Sequence, residues 1–211
     1  MKANQQKGMT LIETSIGCLL SAVIIFGVTS TAQQSQKRLS SESYRVEMQQ
    51  KGRTAIDLLS NYARSAGADR SSIFSVAPYT TASVLPIPSA SATSIRFRSD
   101  FNDDGALETS LPEDVTVSWE PGTKILSMGP ASYDHVSNFT VRYYSAAGAE
   151  LTPPMGGWNI ASDASHGTTL RSITRIQVEL SFEGRHANAI TNETEQMTVV
   201  SDITVTNQRT E

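Results

Sequence analysis

The stretch KGMTLIETSIGCLLSAVIIFGV, residues 7 to 28, decides how the rest of this chain is read. From Met9 to Val28 nearly every position is apolar or small, and the one charged exception is Glu13. A carboxylate at bilayer depth costs at least ~2.5 kcal/mol on insertion scales, so one inside an apolar run marks a functional residue. Ile16 to Val28 alone is too short to cross a bilayer. Counted from Met9 to about Ala32, the segment supplies the roughly 20 residues that a helical span needs. Upstream, MKANQQKG carries Lys2 and Lys7; lysines beside an apolar span stay cytoplasmic, which places the bulk of the chain outside.

The helix does not have to stop where the apolar run does. No proline occurs before Pro78, and residues 31 to 64 are rich in Gln, Ser, Arg and Glu with spaced apolar positions. Ile56, Leu59, Tyr62, Ala63 and Ala66 fall at helical spacing, and Leu39 and Val46 are seven apart, so this half reads as amphipathic with one face for a domain. A continuous helix from Met9 to Ala66 would be on the order of 85 Å long, with Gly67 as its stop signal. Gly27 and the Ser, Thr and Gln residues from 29 to 36 mark the expected bend.

Composition narrows the function. The 211 residues suffice for one span and one domain, and a net charge of −4 with a pI near 5.4 gives no footprint for nucleic acid. Cys18 is the sole cysteine, which rules out an internal disulfide, and its place inside the apolar run speaks against a thiolate zinc site. His135, His166 and His186 fit no metal spacing, and no nucleophile elbow or paired-carboxylate signature occurs, so an enzyme is not expected.

Beyond residue 93 the period changes to two. Ile95 and Phe97 alternate with Arg96 and Arg98. Val115, Val117 and Trp119 do so with Thr116 and Ser118, and Phe139, Val141 and Tyr143 with Thr140 and Arg142. Ile176, Val178, Leu180 and Phe182 form a further one-faced run, and Met197, Val199, Ile203 and Val205 the last. One-faced alternation implies a sheet with one covered side. The expected fold is α+β: the amphipathic helix laid across one mostly antiparallel sheet of about five to seven strands. Residues 71 to 93, with Pro78, Pro86 and Pro88, read as a connector. The segment from Thr152 to Thr169, with Trp158, reads as a partner-contact loop or as a loop that Trp158 anchors.

Between the first two strands lies SDFNDDGALETSLPED. Asp100, Asn102 and Asp104 alternate, Gly105 follows, and Glu108 comes four residues after Asp104, an arrangement of oxygen donors that suits calcium. The closing position holds Leu111, so Glu108, Glu113 or Asp114 would have to complete a site; the competing interpretation is a plain hairpin turn.

The start of the chain resembles the signal of the type IV pilin family, a short basic leader ending in Gly, a cut before Met or Phe, and Glu fifth in the mature chain. Gly8, Met9, Thr10, Leu11, Ile12 and Glu13 match it position for position. The acidic loop, VSNFTVRYYSAAG (136 to 148) and RSITRIQVELSF (171 to 182) are similar to segments of PilW-like minor pilins and their GspJ-like counterparts in type II secretion. The resemblance implies the type IV pilin fold. It also implies a leader (1 to 8) removed by a prepilin peptidase that N-methylates Met9, an assembly helix (9 to 34), an amphipathic half (35 to 66), a connector (67 to 93) and a β-rich domain (94 to 211). Cleavage would remove Lys2 and Lys7 and take the charge from −4 to −6.

The new amino group and Glu13 would then pair, since either alone is costly in an apolar setting. Membrane lipid, other minor pilins, the major pilin and an inner-membrane assembly platform are the implied partners. The implied location is the bacterial inner membrane, with the domain periplasmic, and later the pilus surface. A secretion pseudopilin, a tip adhesin and a DNA-uptake pilin are the alternative functions; charge speaks against the last. A cleavable signal peptide cut near Ser30-Thr31-Ala32, or a plain anchor, would explain the apolar run but not Glu13.

Overall fold

A computed structural model describes residues 10–68, 74, 85–102, 104–108, 112–185 and 194–205. One helix, α1 (Leu11–Ser65), occupies 55 residues without a break, about 83 Å at 1.5 Å per residue. Thr10 caps its start, and at its end Ala66 N–H donates to the Tyr62 carbonyl. Gly67, at φ 76°, turns the chain out of the helix as expected and donates to Arg98 O at 2.8 Å, tying the helix end to the sheet. Where the sequence suggests a bend, the helix continues. Thr29, Ser30 and Thr31 donate their hydroxyls back to the carbonyls of Ile25, Phe26 and Gly27, and the backbone ladder stays intact.

The expectation of a single sheet of five to seven strands is corrected: among the described residues ten strands form two antiparallel sheets. The first sheet comprises β1 (Ser89–Ala90), β2 (Ser94–Arg98), β3 (Asp114–Glu120), β4 (Ile125–Met128), β5 (Ala131–Tyr133) and β8 (Trp158–Asn159), in the order β5-β4-β3-β2-β1-β8. The second comprises β6 (Val136–Ser145), β7 (Glu150–Leu151), β9 (Ile173–Arg185) and β10 (Thr194–Thr204), in the order β10-β9-β6-β7. A short helix, α2 (His166–Arg171), precedes β9.

The division has a local cause. Between β5 and β6 His135 sits at φ 61°, and the β6–β9 register slips between Val136 and Asn138. A left-handed residue followed by a bulge redirects the strand, so β6 leaves the first sheet and pairs with β9. The connector expected over 67–93 also contributes β1, paired to both β2 and β8.

The strand parities are as read: Ile95, Phe97, Val115, Val117, Phe139, Val141, Tyr143, Ile176, Val178, Leu180 and Phe182 are buried, and Trp119 is half-buried. Both sheets and the second half of α1 share one core, to which the helix gives Met48, Ala55, Leu59 and Ala63. Gly52 lets α1 approach closely, for a Cβ there would meet Met197 Cε at 2.9 Å and Val199 Cγ2 at 3.2 Å. Tyr143 joins the sheets by donating to Ser91 O at 2.5 Å and stacking edge-on against Trp158, with centroids 5.7 Å apart. Trp158 therefore anchors its loop on the domain.

Candidate functional site

The exposed half of α1 is the first candidate. Leu11, Ile12, Leu19, Ile24, Ile25 and Phe26 are each more than half exposed, and Phe26 reaches 76 %. An 18-residue window here has a mean hydropathy of 2.1 with none of it buried. Apolar surface on this scale, with nothing from the described chain covering it, needs a membrane or partner helices.

Glu13 occupies the third position of the helix and forms a reciprocal capping box. Its carboxylate accepts from Thr10 N at 3.2 Å and Thr10 Oγ1 at 3.3 Å, while Glu13 N donates to Thr10 Oγ1 at 3.3 Å. The charge expected to meet an amino group is thus also a local helix starter, and it lies where the helix dipole favours an anion. Thr10 was legible in principle, since Thr-x-x-Glu before an apolar run is the sequence signature of this cap. Gly8 and Met9 lie outside the described residues.

The acidic loop is the second candidate, and its centre is Glu113, a residue the spacing named only as a substitute. Glu113 is 2 % exposed. One carboxylate oxygen accepts from Phe101 N (3.2 Å) and Asn102 N (3.3 Å), the other from Glu108 N (2.8 Å). Asp100 is buried too and accepts from Gly105 N at 3.1 Å. Asn102 and Asp104 are exposed and bond each other, and Asp104 also accepts from Ala106 N at 2.8 Å. Glu108 is exposed.

Asp100, Asn102 and Asp104 are therefore suited by chemistry to a hard cation, but Glu113 spends both oxygens on backbone donors. Among the described residues no three His, Cys, Asp or Glu side chains converge as a metal cluster. Next to the loop Asp114 holds Arg96 through both carboxylate oxygens and Arg98 through Oδ2, at 2.9 Å from Nη2. Burial pushes the Asp114 carboxyl up, but the hydrogen bonds from Arg96 and Arg98 outweigh it and hold the pKa below the usual aspartate value.

A third feature is a cleft of about 660 Å³ where α1 meets the domain, lined by Tyr44, Glu47, Lys51, Lys124, Asp134 and Glu183 among others. Lys51 bridges Asp134 at 3.2 Å and Glu47 at 3.3 Å, and Lys124 pairs with Glu183. Desolvation opposes charge on both Lys51 and Asp134; their mutual hydrogen bond prevails, raising the lysine and lowering the aspartate. No sequence signal pointed to this latch, because Lys51 and Asp134 are far apart along the chain. His135 is exposed beside it, and His166, the first residue of α2, instead accepts from Asn159 N of β8 at 3.2 Å, so the two are not brought together. His186 lies outside the described residues.

Fold and sites together define an α+β domain carried on an N-terminal helix that is long and apolar enough to cross a membrane. No family model, curated protein or solved structure matches the chain.

Proposed function

We propose that this chain is a minor pilin: a prepilin cleaved between Gly8 and Met9, methylated at Met9, and built into a type IV pilus that it primes or caps. The observation that carries this is the single helix whose first half is apolar on all sides and uncovered, whose second half is locked into a domain, and whose third residue is Glu13. Such a helix delivers its domain to the outside of a bundle formed by other helices of the same kind. No cofactor is required for that work.

In the membrane the exposed half of α1 is solvated by lipid. On assembly it exchanges lipid for the helices of other minor pilins and the major pilin. Removal of the leader leaves an amino group on the residue that precedes Thr10 in sequence, and the Glu13 carboxylate already holds Thr10 itself. A carboxylate of a neighbouring subunit could take the same amino group, and that exchange would convert a membrane anchor into a filament subunit. The domain then stands on the filament surface. A GspJ-like minor pseudopilin would use the same physics for protein secretion.

The test has two parts. Mass spectrometry of the native polypeptide should find an N-methylated Met9 at its start; a chain that retains Lys2 and Lys7, or begins at Gln33, overturns the proposal. Deletion of the gene should remove surface pili and twitching, whereas loss of secreted enzymes with pili intact would transfer the chain to the secretion class.

A further inference from the structure

The exposed half of α1 carries its own measure of where the hydrocarbon ends. Thr14, Ser15, Ser21, Thr29, Ser30 and Thr31 are the serines and threonines between Leu11 and Ala32, and each donates its hydroxyl to a carbonyl of its own helix. A hydroxyl satisfied in this way needs no water, so the lipid-compatible segment extends past Val28 to Ala32. Leu11 to Ala32 then measures about 33 Å, against a hydrocarbon core of about 30 Å.

Gln33, Gln34, Ser35 and Gln36 follow, and then two adjacent cations, Lys37 and Arg38. Both are exposed, and neither has an ion-pair partner among the described residues. Lys37 stands about 7 Å beyond Ala32, at the depth of the lipid phosphates. The next acidic residue, Glu42, lies about another 7 Å further out.

The geometry points to Lys37 and Arg38 as a phospholipid-headgroup site that sets the depth of α1, an inference that rests on the membrane-anchored precursor proposed above. Two long cationic side chains on adjacent helix positions reach the phosphodiesters of neighbouring lipids in the outer leaflet. Their hold keeps Ala32 at the outer hydrocarbon boundary. It thereby keeps Glu13, near the opposite end of the segment, within about 3 Å of the inner boundary, where a carboxylate is tolerated. Without the two cations the shorter apolar run from Leu11 to Val28 would centre itself, drawing Glu13 deeper.

The test uses the full chain in vesicles of phosphatidylethanolamine and phosphatidylglycerol, with a nitroxide on Cys18, the sole cysteine. Flotation with the vesicles reports anchoring, and collision with oxygen against a nickel chelate reports label depth. The label should sit about 5 Å from the midplane on the Glu13 side. Lys37→Gln with Arg38→Gln should still float but move the label by about 3 Å toward the midplane, half the length of residues 29 to 32. The charge-preserving swap Lys37→Arg with Arg38→Lys should keep wild-type depth. Unchanged depth in the Gln pair, or an equal displacement in the swap, overturns the headgroup site while leaving the anchor in place. Failure of the wild-type chain to float overturns both.

Discussion

Residues 11–28 and residues 48–66 of α1 share one backbone geometry and differ in what their side chains demand. In the later segment the buried positions Met48, Gly52, Ala55, Leu59 and Ala63 recur every three or four residues and face the core shared with the sheets, while Arg53, Asp57 and Arg64 face water. In the earlier one every side is apolar and none is buried. A stripe is satisfied by one neighbour, whereas a cylinder needs a medium or a bundle. Leu39 and Val46, expected on the amphipathic face, mark the changeover. They are 66 % and 60 % exposed, so the domain grips the helix only from about Tyr44 onward.

The contrast predicts that domain stability depends on buried, specific partners and is indifferent to the exposed half. The largest effect should come from Asp114. With Asp114→Asn the Arg98 guanidinium, 7 % exposed, loses this carboxylate, and breaking a buried ion pair from one side costs about 3–5 kcal/mol; the half-exposed Arg96 adds little to this. Thermal unfolding of the detergent-solubilised chain measures it. The pH dependence carries a matching sign. Because Asp114 titrates below its usual value when folded, its contribution is present above that value and fades as pH falls through the folded one. The melting temperature of the wild type should therefore drop on the acid side more steeply than that of Asp114→Asn. Parallel curves would show that the ion cluster contributes nothing.

Next come two leucines that test the comparison directly. Leu59→Ala empties a fully buried position and should cost about 2–5 kcal/mol, while Leu39→Ala should stay within about 0.5 kcal/mol. Equal effects would mean that the domain extends further down the helix than its contacts imply.

Much of this was legible beforehand. Alternation picked the buried face of five strands, because a half-covered strand must repeat with period two, and Leu59, Ala63 and Ala66 announced the docked stripe. The two-sheet division was not legible, since it turns on the left-handed backbone of His135 and a bulge beside Val136, and neither leaves a periodic trace. At the site, Glu13 stood out because one charge in an apolar run has no neighbours to hide it. The hub role of Glu113 did not, because its partners Phe101, Asn102 and Glu108 are joined to it only once the loop has closed.

That loop gives the third prediction. Glu113→Gln keeps the shape but replaces an acceptor oxygen with a donor facing backbone N–H groups, at a cost of about 1–3 kcal/mol. Asp104→Ala, at an exposed position, should cost less. Calcium sharpens the test. The domain should stay folded in chelator, and a calcium-dependent rise in melting temperature that Asp104→Ala abolishes would place the ion among Asp100, Asn102, Asp104 and Glu108.

The smallest energetic effect separates the two roles of Glu13. Thr10→Ala removes the helix cap and should cost about 1 kcal/mol, felt locally as fraying of the first turn, with the domain's melting unchanged. Glu13→Gln preserves the cap, since Gln serves in a capping box as Glu does, but it discards the charge. Glu13→Ala discards both. If Glu13 works by pairing with an amino group, Gln and Ala should fail alike in filament incorporation while Thr10→Ala assembles, all three being cleaved at wild-type levels. If it works by starting the helix, Gln should assemble and Thr10→Ala should fail with Ala. Purified filaments probed for each variant distinguish the two. The second outcome would reduce the acid in the exposed half of α1 to the same local role that capping residues play on any helix, and would leave filament docking to the apolar surface alone.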